Sequence, residues 1–192
     1  MKKIIVASNN IGKINEVKKI IKEYDVISMK EAGLDMKFDE SESTFEENAK
    51  IKASSLAKKS NGELCLADDS GIEIEYLNGF PGVKTKRWFN GTDRERNMGL
   101  IDKLKGVERK ERRVNFVVAI AVSNGEKTIC QKGEITGFIA EEPKGKNGFG
   151  FDEIFELDNG KTLAELTEKE KNKISARKIA IEKIKKSIGC NY

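Results

Sequence analysis

The segment Asp68-Asp69-Ser70-Gly71 contains two adjacent carboxylates in a pattern that could support catalysis. It follows the apolar run Leu64–Ala67, which predicts a buried strand, and its own residue types predict a turn. Carboxylates that converge at a turn repel each other, and Mg²⁺, which prefers hard oxygen ligands, would stabilise them. A carboxylate beside a metal-bound phosphate can also deprotonate a water molecule. The alternative is a structural turn in which Asp69 or Ser70 caps the backbone.

A second candidate site lies between the first predicted strand and the first predicted helix. Backbone amides at a helix N-terminus favour anions, and Lys13 adds a positive charge there. The segment is not a Walker A loop, because it has a single glycine and Ile14 stands where Ser or Thr would bind Mg²⁺. An asparagine-rich turn with a solvated lysine is the alternative. The residues concerned are Ser8, Asn9, Asn10, Ile11, Gly12 and Lys13.

The segment from Gly145 to Asp152 is rich in glycine, in the order GxxGxG. Closely spaced glycines let a backbone approach a ligand. Phe149 and Phe151 could stack on a base, and Asp152 could hold a ligand or a turn. The alternative is a flexible loop whose phenylalanines belong to the core.

For several single charged residues, a functional role depends on which other residues lie near them. Lys52 alone predicts a solvated lysine on a helix. Lys171 and Arg177 are six residues apart, so on one regular helix they would point about 120° apart. They converge on a ligand only if the helix breaks near Ile174-Ser175.

Composition excludes several classes of function. The 36 basic and 32 acidic residues give a net charge of +4, too small to indicate a nucleic-acid-binding protein. The chain has no histidine, which excludes a histidine base and a Ser-His-Asp triad. Cys65, Cys130 and Cys190 form no CxxC motif and predict reduced thiols in a cytoplasmic protein. The apolar run at the start of the sequence is too short to predict a signal peptide, and no segment predicts a membrane span.

The elements that must position these residues predict an α/β protein of one domain, residues 1–192, without a linker. A strand at Ile4–Ser8, a helix from about Lys13 and a strand at Val26–Met29 open the chain. The long apolar run Val114–Ser123 predicts a central strand, and Ile129–Ile139 predicts another.

Helix starts and one helix break are also visible in the sequence. Threonine followed three residues later by glutamate predicts a capping box at Thr44, Thr92 and Thr167. Ser175 can act as a cap in its own right, so the C-terminal region predicts two helices with a break near Ile174.

Six segments, spread from Ser8 to about Ala180, together resemble the inosine triphosphate pyrophosphatase family, whose members are also called Ham1-like proteins. Each segment is weak alone, but six in the family's order make the resemblance specific. They are Ser8–Lys13, Thr44–Ala49 with Lys52-Ala53, Ala67–Gly71, Leu77–Gly82, Gly148–Asp152, and Glu170-Lys171-Asn172 followed by Ser175-Ala176-Arg177.

The resemblance implies hydrolysis of ITP, dITP and XTP to the monophosphate and pyrophosphate, which removes deaminated purines from the nucleotide pool. It implies Mg²⁺ as cofactor and a homodimer. The implied fold is an elongated mixed sheet flanked by helices, with two lobes around a nucleotide-binding cleft.

The resemblance also assigns roles to residues by position. Asp69 corresponds to the catalytic base and to a metal ligand, and Glu40 falls where a second metal-binding acid is found, with Asp39 as a rival. The triphosphate contacts correspond to Ser8, Asn9, Asn10, Ile11, Gly12, Lys13, Lys52 and Ser70. The nucleoside contacts correspond to Phe149, Gly150, Phe151, Asp152, Lys171, Ala176 and Arg177.

Departures from the family pattern concern the base. The family usually has Ser-His-Arg where this chain has Ser175-Ala176-Arg177. A missing donor predicts weaker base selectivity, by about 1–3 kcal/mol. Phe151 replaces the usual Tyr or Trp. Two alternatives therefore stay open: a nucleotide pyrophosphatase with altered base specificity, and a non-catalytic nucleotide-binding protein of the same fold.

Overall fold

The structure, a computed structural model, describes residues 2–38 and 43–188. Within that range the chain divides into two compact units. The first unit takes the residues up to 70, residues 118–133 and those from 176 onward; the second takes residues 71–117 and 134–175. The two units match the two predicted lobes. Each unit combines separate stretches of chain, so no linker separates them, and the assignment of one domain stays a prediction.

Seven strands and five α-helices occur in the described part of the chain, which confirms the predicted α/β class. The strands are β1 (Lys2–Val6), β2 (Tyr24–Ser28), β3 (Cys65–Ile74), β4 (Phe80–Pro81), β5 (Arg113–Ser123), β6 (Thr128–Ile139) and β7 (Phe155–Glu156). The helices are α1 (Ile11–Ile20), α2 (Phe45–Lys59), α3 (Asp93–Lys103), α4 (Glu168–Ile174) and α5 (Ala176–Ile188).

The strands form one sheet in the order β2-β1-β3-β5-β6-β7, with β4 paired to β3. Strand β1 is parallel to both β2 and β3, whereas β4 and β7 are antiparallel to their partners. The sheet is therefore mixed, as predicted. Because α1 leads from β1 to β2 on one side while β3 lies on the other, the strand order reverses between β1 and β3. Open α/β sheets bind ligands at the carboxyl ends of strands at such a point.

The apolar runs form the expected strands with small shifts at their ends. Strand β5 is buried along nearly its whole length, which confirms the predicted central strand, and β6 confirms the strand expected at Ile129–Ile139. Strand β1 ends at Val6 rather than Ser8, and β2 ends at Ser28 rather than Met29. Helix α1 begins at Ile11, two residues before the predicted start.

The turn predicted at Asp68–Gly71 is wrong. Strand β3 continues through this segment from Cys65 to Ile74 without a break. Asp, Ser and Gly are depleted in strands because they pack poorly on a pleated surface, and this is why the sequence pattern favoured a turn. The strand persists here because basic side chains from three helices neutralise the two buried carboxylates, as the site geometry below establishes.

The predicted helix starts are confirmed at α3 and α4. Both carry complete capping boxes, from Thr92 with Glu95 and from Thr167 with Glu170. At α2, Thr44 Oγ1 accepts from the Glu47 amide at 3.2 Å, and the Thr44 hydroxyl donates to the Glu47 carboxylate at 2.7 Å. The expected break between the two C-terminal helices is also present, at Ser175, which has an extended backbone. Within residues 2–38 and 43–188, none of the helices has the length and apolar character that crossing a membrane requires.

Glycine at position 133 lets β6 and the first turn of α5 come into close contact. A Cβ atom built on Gly133 would lie 2.1 Å from the Ala176 carbonyl oxygen and 2.7 Å from the Ala180 amide nitrogen. Both neighbours are backbone atoms, which cannot move aside as a flexible side chain can. We therefore expect Gly133→Ala to lower the free energy of unfolding by about 1–3 kcal/mol through overpacking, as measured by urea denaturation.

The matched control for this variant is Glu134→Ala, on the adjacent exposed position of the same strand. We expect it to change the free energy of unfolding by less than about 0.5 kcal/mol, as is usual for surface positions. Equal stabilities of wild type and Gly133→Ala would show that this contact does not constrain α5.

Candidate active site

Asp68 and Asp69 occupy successive positions of β3, so their side chains point to opposite faces of the sheet. Both are buried, with 2% and 8% of their surface exposed. They therefore do not converge, as the turn prediction had required. Each carboxylate instead binds cations of its own, from α1 and α5 for Asp68 and from α2 for Asp69.

The Asp68 carboxylate joins two cations from two helices. Its Oδ1 atom contacts the Lys13 ammonium, and its Oδ2 atom accepts from Arg177 Nε at 2.8 Å. The Ser70 hydroxyl also donates to Oδ1, at 3.3 Å. Burial alone raises the pKa of Asp68, but Arg177 and Lys13 more than offset this and hold that pKa well below its usual value. Asp68 is therefore a stable anion within this site.

The Arg177 guanidinium has a second anionic partner in Glu16. Its Nη1 atom donates to Glu16 Oε2, and Arg177 is only 2% exposed. Burial lowers the pKa of Arg177, but Asp68 and Glu16 reverse that effect and raise it above its ordinary value. Burial lowers the pKa of Lys13, and the attraction of Asp68 offsets this only in part, because Arg177 and Lys52 act in the same direction as burial. Two cations and two anions thus balance in a buried cluster.

Asp69 is paired with Lys52 on the face of β3 that meets α2. The Lys52 ammonium donates to Asp69 Oδ1 at 2.9 Å and to the backbone carbonyl of Asp68 at 2.7 Å. Lys52 is only 4% exposed. The interpretation of Lys52 as a solvated lysine is therefore wrong. The apolar stripe of α2 buries this position, and a buried ammonium needs an anionic partner.

The segment Ser8–Lys13 forms the loop and first turn predicted as an anion site. Asn10 is the N-cap of α1, and its Oδ1 atom accepts from the Lys13 amide at 3.2 Å. The Ser8 hydroxyl oxygen accepts from the Asn10 amide at 3.1 Å. Ile11, at the first helical position, is 72% exposed. The helix N-terminus and the Lys13 side chain thus lie together where β1 ends, beside β3.

The glycine-rich loop belongs to the second unit and is held by Asp152. The Phe149 amide donates to Asp152 Oδ2 at 2.8 Å, and the Lys171 ammonium binds the same oxygen at 2.5 Å. Gly148 has a positive φ of 81°, and a Cβ there would lie 2.0 Å from Asp152 Oδ2. Glycine is therefore required at position 148 for two reasons: its backbone conformation and the closeness of the Asp152 carboxylate.

Phe149 and Phe151 differ in their surroundings within this loop. The Lys171 ammonium lies 4.7 Å from the centre of the Phe149 ring, and Phe149 lines a cavity of about 270 Å³ together with Gly150 and Asp152. Phe151 packs edge-to-face on Phe116 at 4.7 Å, as the core alternative for this residue predicted.

Sequence reasoning missed Asn97, which lies on α3 and is 3% exposed. Its Nδ2 atom donates to the Gly150 carbonyl at 2.9 Å and to Glu153 Oε1 at 3.0 Å. A polar residue among exposed helix positions carries no sequence signal of its own. Glu16 was also missed, although its spacing of three residues from Lys13 places both on one helix face.

Ala176, which stands where the resemblance led us to expect a histidine, is fully buried at the start of α5. Its carbonyl lies against Gly133, as described above.

Of the predicted metal ligands, the structure describes only Asp69. Glu40 and its rival Asp39 lie outside the described residues. Among residues 2–38 and 43–188, no group of three or more Cys, Asp or Glu side chains is arranged to hold a metal ion.

A mixed α/β sheet with a helix N-terminus, the buried Lys52, the partly buried Lys13 and a carboxylate pair at its strand-order reversal defines a protein equipped to bind an anionic ligand. The model of the Ham1 family matches residues 4–187. This chain belongs to the Ham1 family.

Relatives of known sequence cover almost the whole chain. A dITP/XTP pyrophosphatase of Bacillus subtilis (strain 168) is 45% identical over an alignment of 192 positions, which covers 97% of this chain and 96% of the relative. One of Clostridium perfringens (strain 13 / Type A) is 42% identical, with 98% of each chain covered. The solved structure of the Staphylococcus aureus Ham1 protein has a TM-score of 0.86 and 38% identity, with both chains covered completely.

We expect Asn97→Ala to release the glycine-rich loop. The variant removes the donor to the Gly150 carbonyl and Glu153, which should speed amide hydrogen exchange in residues 145–153 and lower stability by about 1–3 kcal/mol. Exchange measured by mass spectrometry on the full chain gives the readout. Thr136→Ala, which removes a side-chain hydrogen bond to Asn115 elsewhere in the same unit, is the control. Unchanged exchange in the loop of Asn97→Ala would contradict the anchoring role.

Proposed function

We propose that this chain hydrolyses the deaminated purine triphosphates dITP, XTP and ITP to the nucleoside monophosphate and pyrophosphate. The observation that carries the proposal is the pairing of Lys52 with Asp69 on β3, with Lys13 bound to Asp68 one residue earlier. Relatives that cover nearly the whole chain bear the name dITP/XTP pyrophosphatase.

The reaction we propose is attack of water on the α-phosphorus. The Asp69 carboxylate accepts a proton from the water, a new P–O bond forms, and the bond to the β-phosphate oxygen breaks as pyrophosphate leaves. Lys52 fixes the orientation of Asp69, at 2.9 Å from Oδ1. Lys13 and the first-turn amides of α1 stabilise the charge on the phosphate oxygens, where most of the catalytic effect of phosphoryl-transfer enzymes arises.

Mg²⁺ is part of this proposal. Proteins hold this ion by one or two carboxylates together with waters and substrate phosphates, so Asp69, the proposed ligand that the structure describes, fits its needs. Asp68 fits them less well, because Lys13 and Arg177 already bind both of its oxygens. Glu40 remains the proposed second ligand. When bound, the ion would neutralise charge on the phosphate oxygens.

The nucleoside end of the substrate is the part where specificity is decided. Phe149 offers an aromatic face beside the Lys171 ammonium, and Asp152 holds both. Within the first unit, taken by itself, Arg177 is a donor suited to a 6-oxo purine, whereas the 6-amino group of adenine offers it no acceptor. Because Ala176 supplies no imidazole, altered base specificity stays the second candidate.

A panel of triphosphates tests the proposal. With Mg²⁺ present we expect pyrophosphate release from dITP, XTP and ITP at higher kcat/KM than from dGTP, dATP or dUTP. EDTA should abolish this release, and added Mg²⁺ should restore it. Preference for a triphosphate without a 6-oxo purine would favour the altered-specificity alternative, and no turnover of any triphosphate would favour a non-catalytic nucleotide-binding protein.

Asp69→Asn tests the proposed base. The substitution keeps the shape of the side chain but removes its proton-accepting charge, so we expect kcat with dITP to fall by about 10²–10⁴-fold. Glu73→Gln neutralises another carboxylate of β3 and should leave kcat near that of the wild type. Thermal melting of both variants checks that they fold. Full activity of a folded Asp69→Asn protein would exclude this mechanism.

A cytoplasmic location and a homodimer complete the proposal. Clearing deaminated nucleotides requires access to the cytoplasmic nucleotide pool. Tyr76, Phe89 and Met98 of the second unit are between 39% and 52% exposed and provide apolar surface for a second copy. Sedimentation equilibrium at several concentrations distinguishes a dimer from a monomer.

A further inference from the structure

The Asp68 carboxylate binds two cations from two different helices. One oxygen contacts Lys13 of α1, and the other accepts from Arg177 of α5 at 2.8 Å. The side chain of Asp68 is 1% exposed, so water cannot readily replace either partner. The mechanism proposed above uses Asp69 and gives Asp68 no task.

Asp68 and the three charged residues around it form a closed ring of contacts that includes one turn of α1. Lys13 and Glu16 lie one turn apart on that helix, and Arg177 connects Glu16 back to Asp68. Each member is therefore held by two neighbours, through ion pairs or through the helix. Because Asp68, Glu16 and Arg177 are buried and the Lys13 side chain is only 17% exposed, a shift of the ammonium changes the position of the next carboxylate.

Phosphate oxygens that approach Lys13 compete with Asp68 for the same ammonium. When the Lys13 ammonium turns toward phosphate, Arg177 is the nearest cation left to the Asp68 carboxylate. The attraction between Asp68 and Arg177 then holds the guanidinium in its position. The reverse also holds, since linkage between two sites is reciprocal. One carboxylate thus connects a ligand at Lys13 with a ligand at Arg177.

We propose that Asp68 is a positioning residue that couples binding of the phosphate end of the substrate to recognition of its base. This inference rests on the proposed function, in which Lys13 binds phosphate and Arg177 binds the purine. The inference gives Asp68 a role in the reaction, because a correct base at Arg177 improves the position of Lys13. Selectivity between bases then appears in kcat as well as in KM.

The two reaction products test the coupling, because each occupies one end of the site. Calorimetric titration of the full chain with dIMP, with and without saturating pyrophosphate in Mg²⁺ buffer, gives the coupling factor. We expect pyrophosphate to tighten dIMP binding by about fivefold or more in the wild type. In Asp68→Asn, which keeps the shape but loses the charge, we expect the factor to fall below twofold.

A purely structural role for Asp68 gives a different result. Asp68→Asn would then weaken both products or lower the melting temperature while the coupling factor stays at its wild-type value, and that outcome overturns the inference. Glu73→Gln, on the same strand, should keep the wild-type factor. If Asp68→Asn does not fold, the wild type alone decides, because a coupling factor near one excludes the proposal.

Failure of the inference is distinguishable from failure of the proposed function. A wild type that hydrolyses dITP but shows no coupling overturns the role of Asp68 alone. A wild type that hydrolyses none of the triphosphates overturns both.

Discussion

Burial of two neighbouring carboxylates in the middle of a strand is the constraint on which the first unit depends. An isolated ionised carboxylate is costly to remove from water, so each needs a cation and hydrogen bonds at close range. The fold supplies these from three helices, with Lys13 on α1, Lys52 on α2 and Arg177 on α5. The positions of the three helices, the continuity of β3 and the charges of the site therefore depend on one another.

The same arrangement explains why the site suits an anionic substrate. In the cluster around Asp68 the charges balance, so its lysine and arginine are held in place without a large excess of positive charge. Lys13 and Arg177 are thereby held in place before any ligand binds, which is the condition for electrostatic catalysis. The second unit follows a similar rule, because Asp152 fixes both Lys171 and the Phe149 amide.

Local signals in the sequence predicted much of the fold. The long apolar runs gave β5 and β6, and the Thr-x-x-Glu pairs gave the starts of α3 and α4. The break at Ser175 was also visible. The segment at Asp68–Gly71 was not, because its residue types favour a turn and only distant basic residues allow it to remain a strand. Lys52 was misjudged alone for the same reason, since its partner is 17 residues away in the chain.

By itself, the sequence determined the family and the class of chemistry, and it indicated candidate site residues whose roles stay predictions. These depend on residue types at fixed spacings, which a linear chain records directly. Only the tertiary structure decided that Asp68 and Asp69 face opposite sides of β3, that Arg177 is held between Asp68 and Glu16, and that Asn97 anchors the Gly150 carbonyl. The reason is physical: ion pairs and hydrogen bonds act over about 3 Å in space, and these partners are separated by up to 161 positions along the chain.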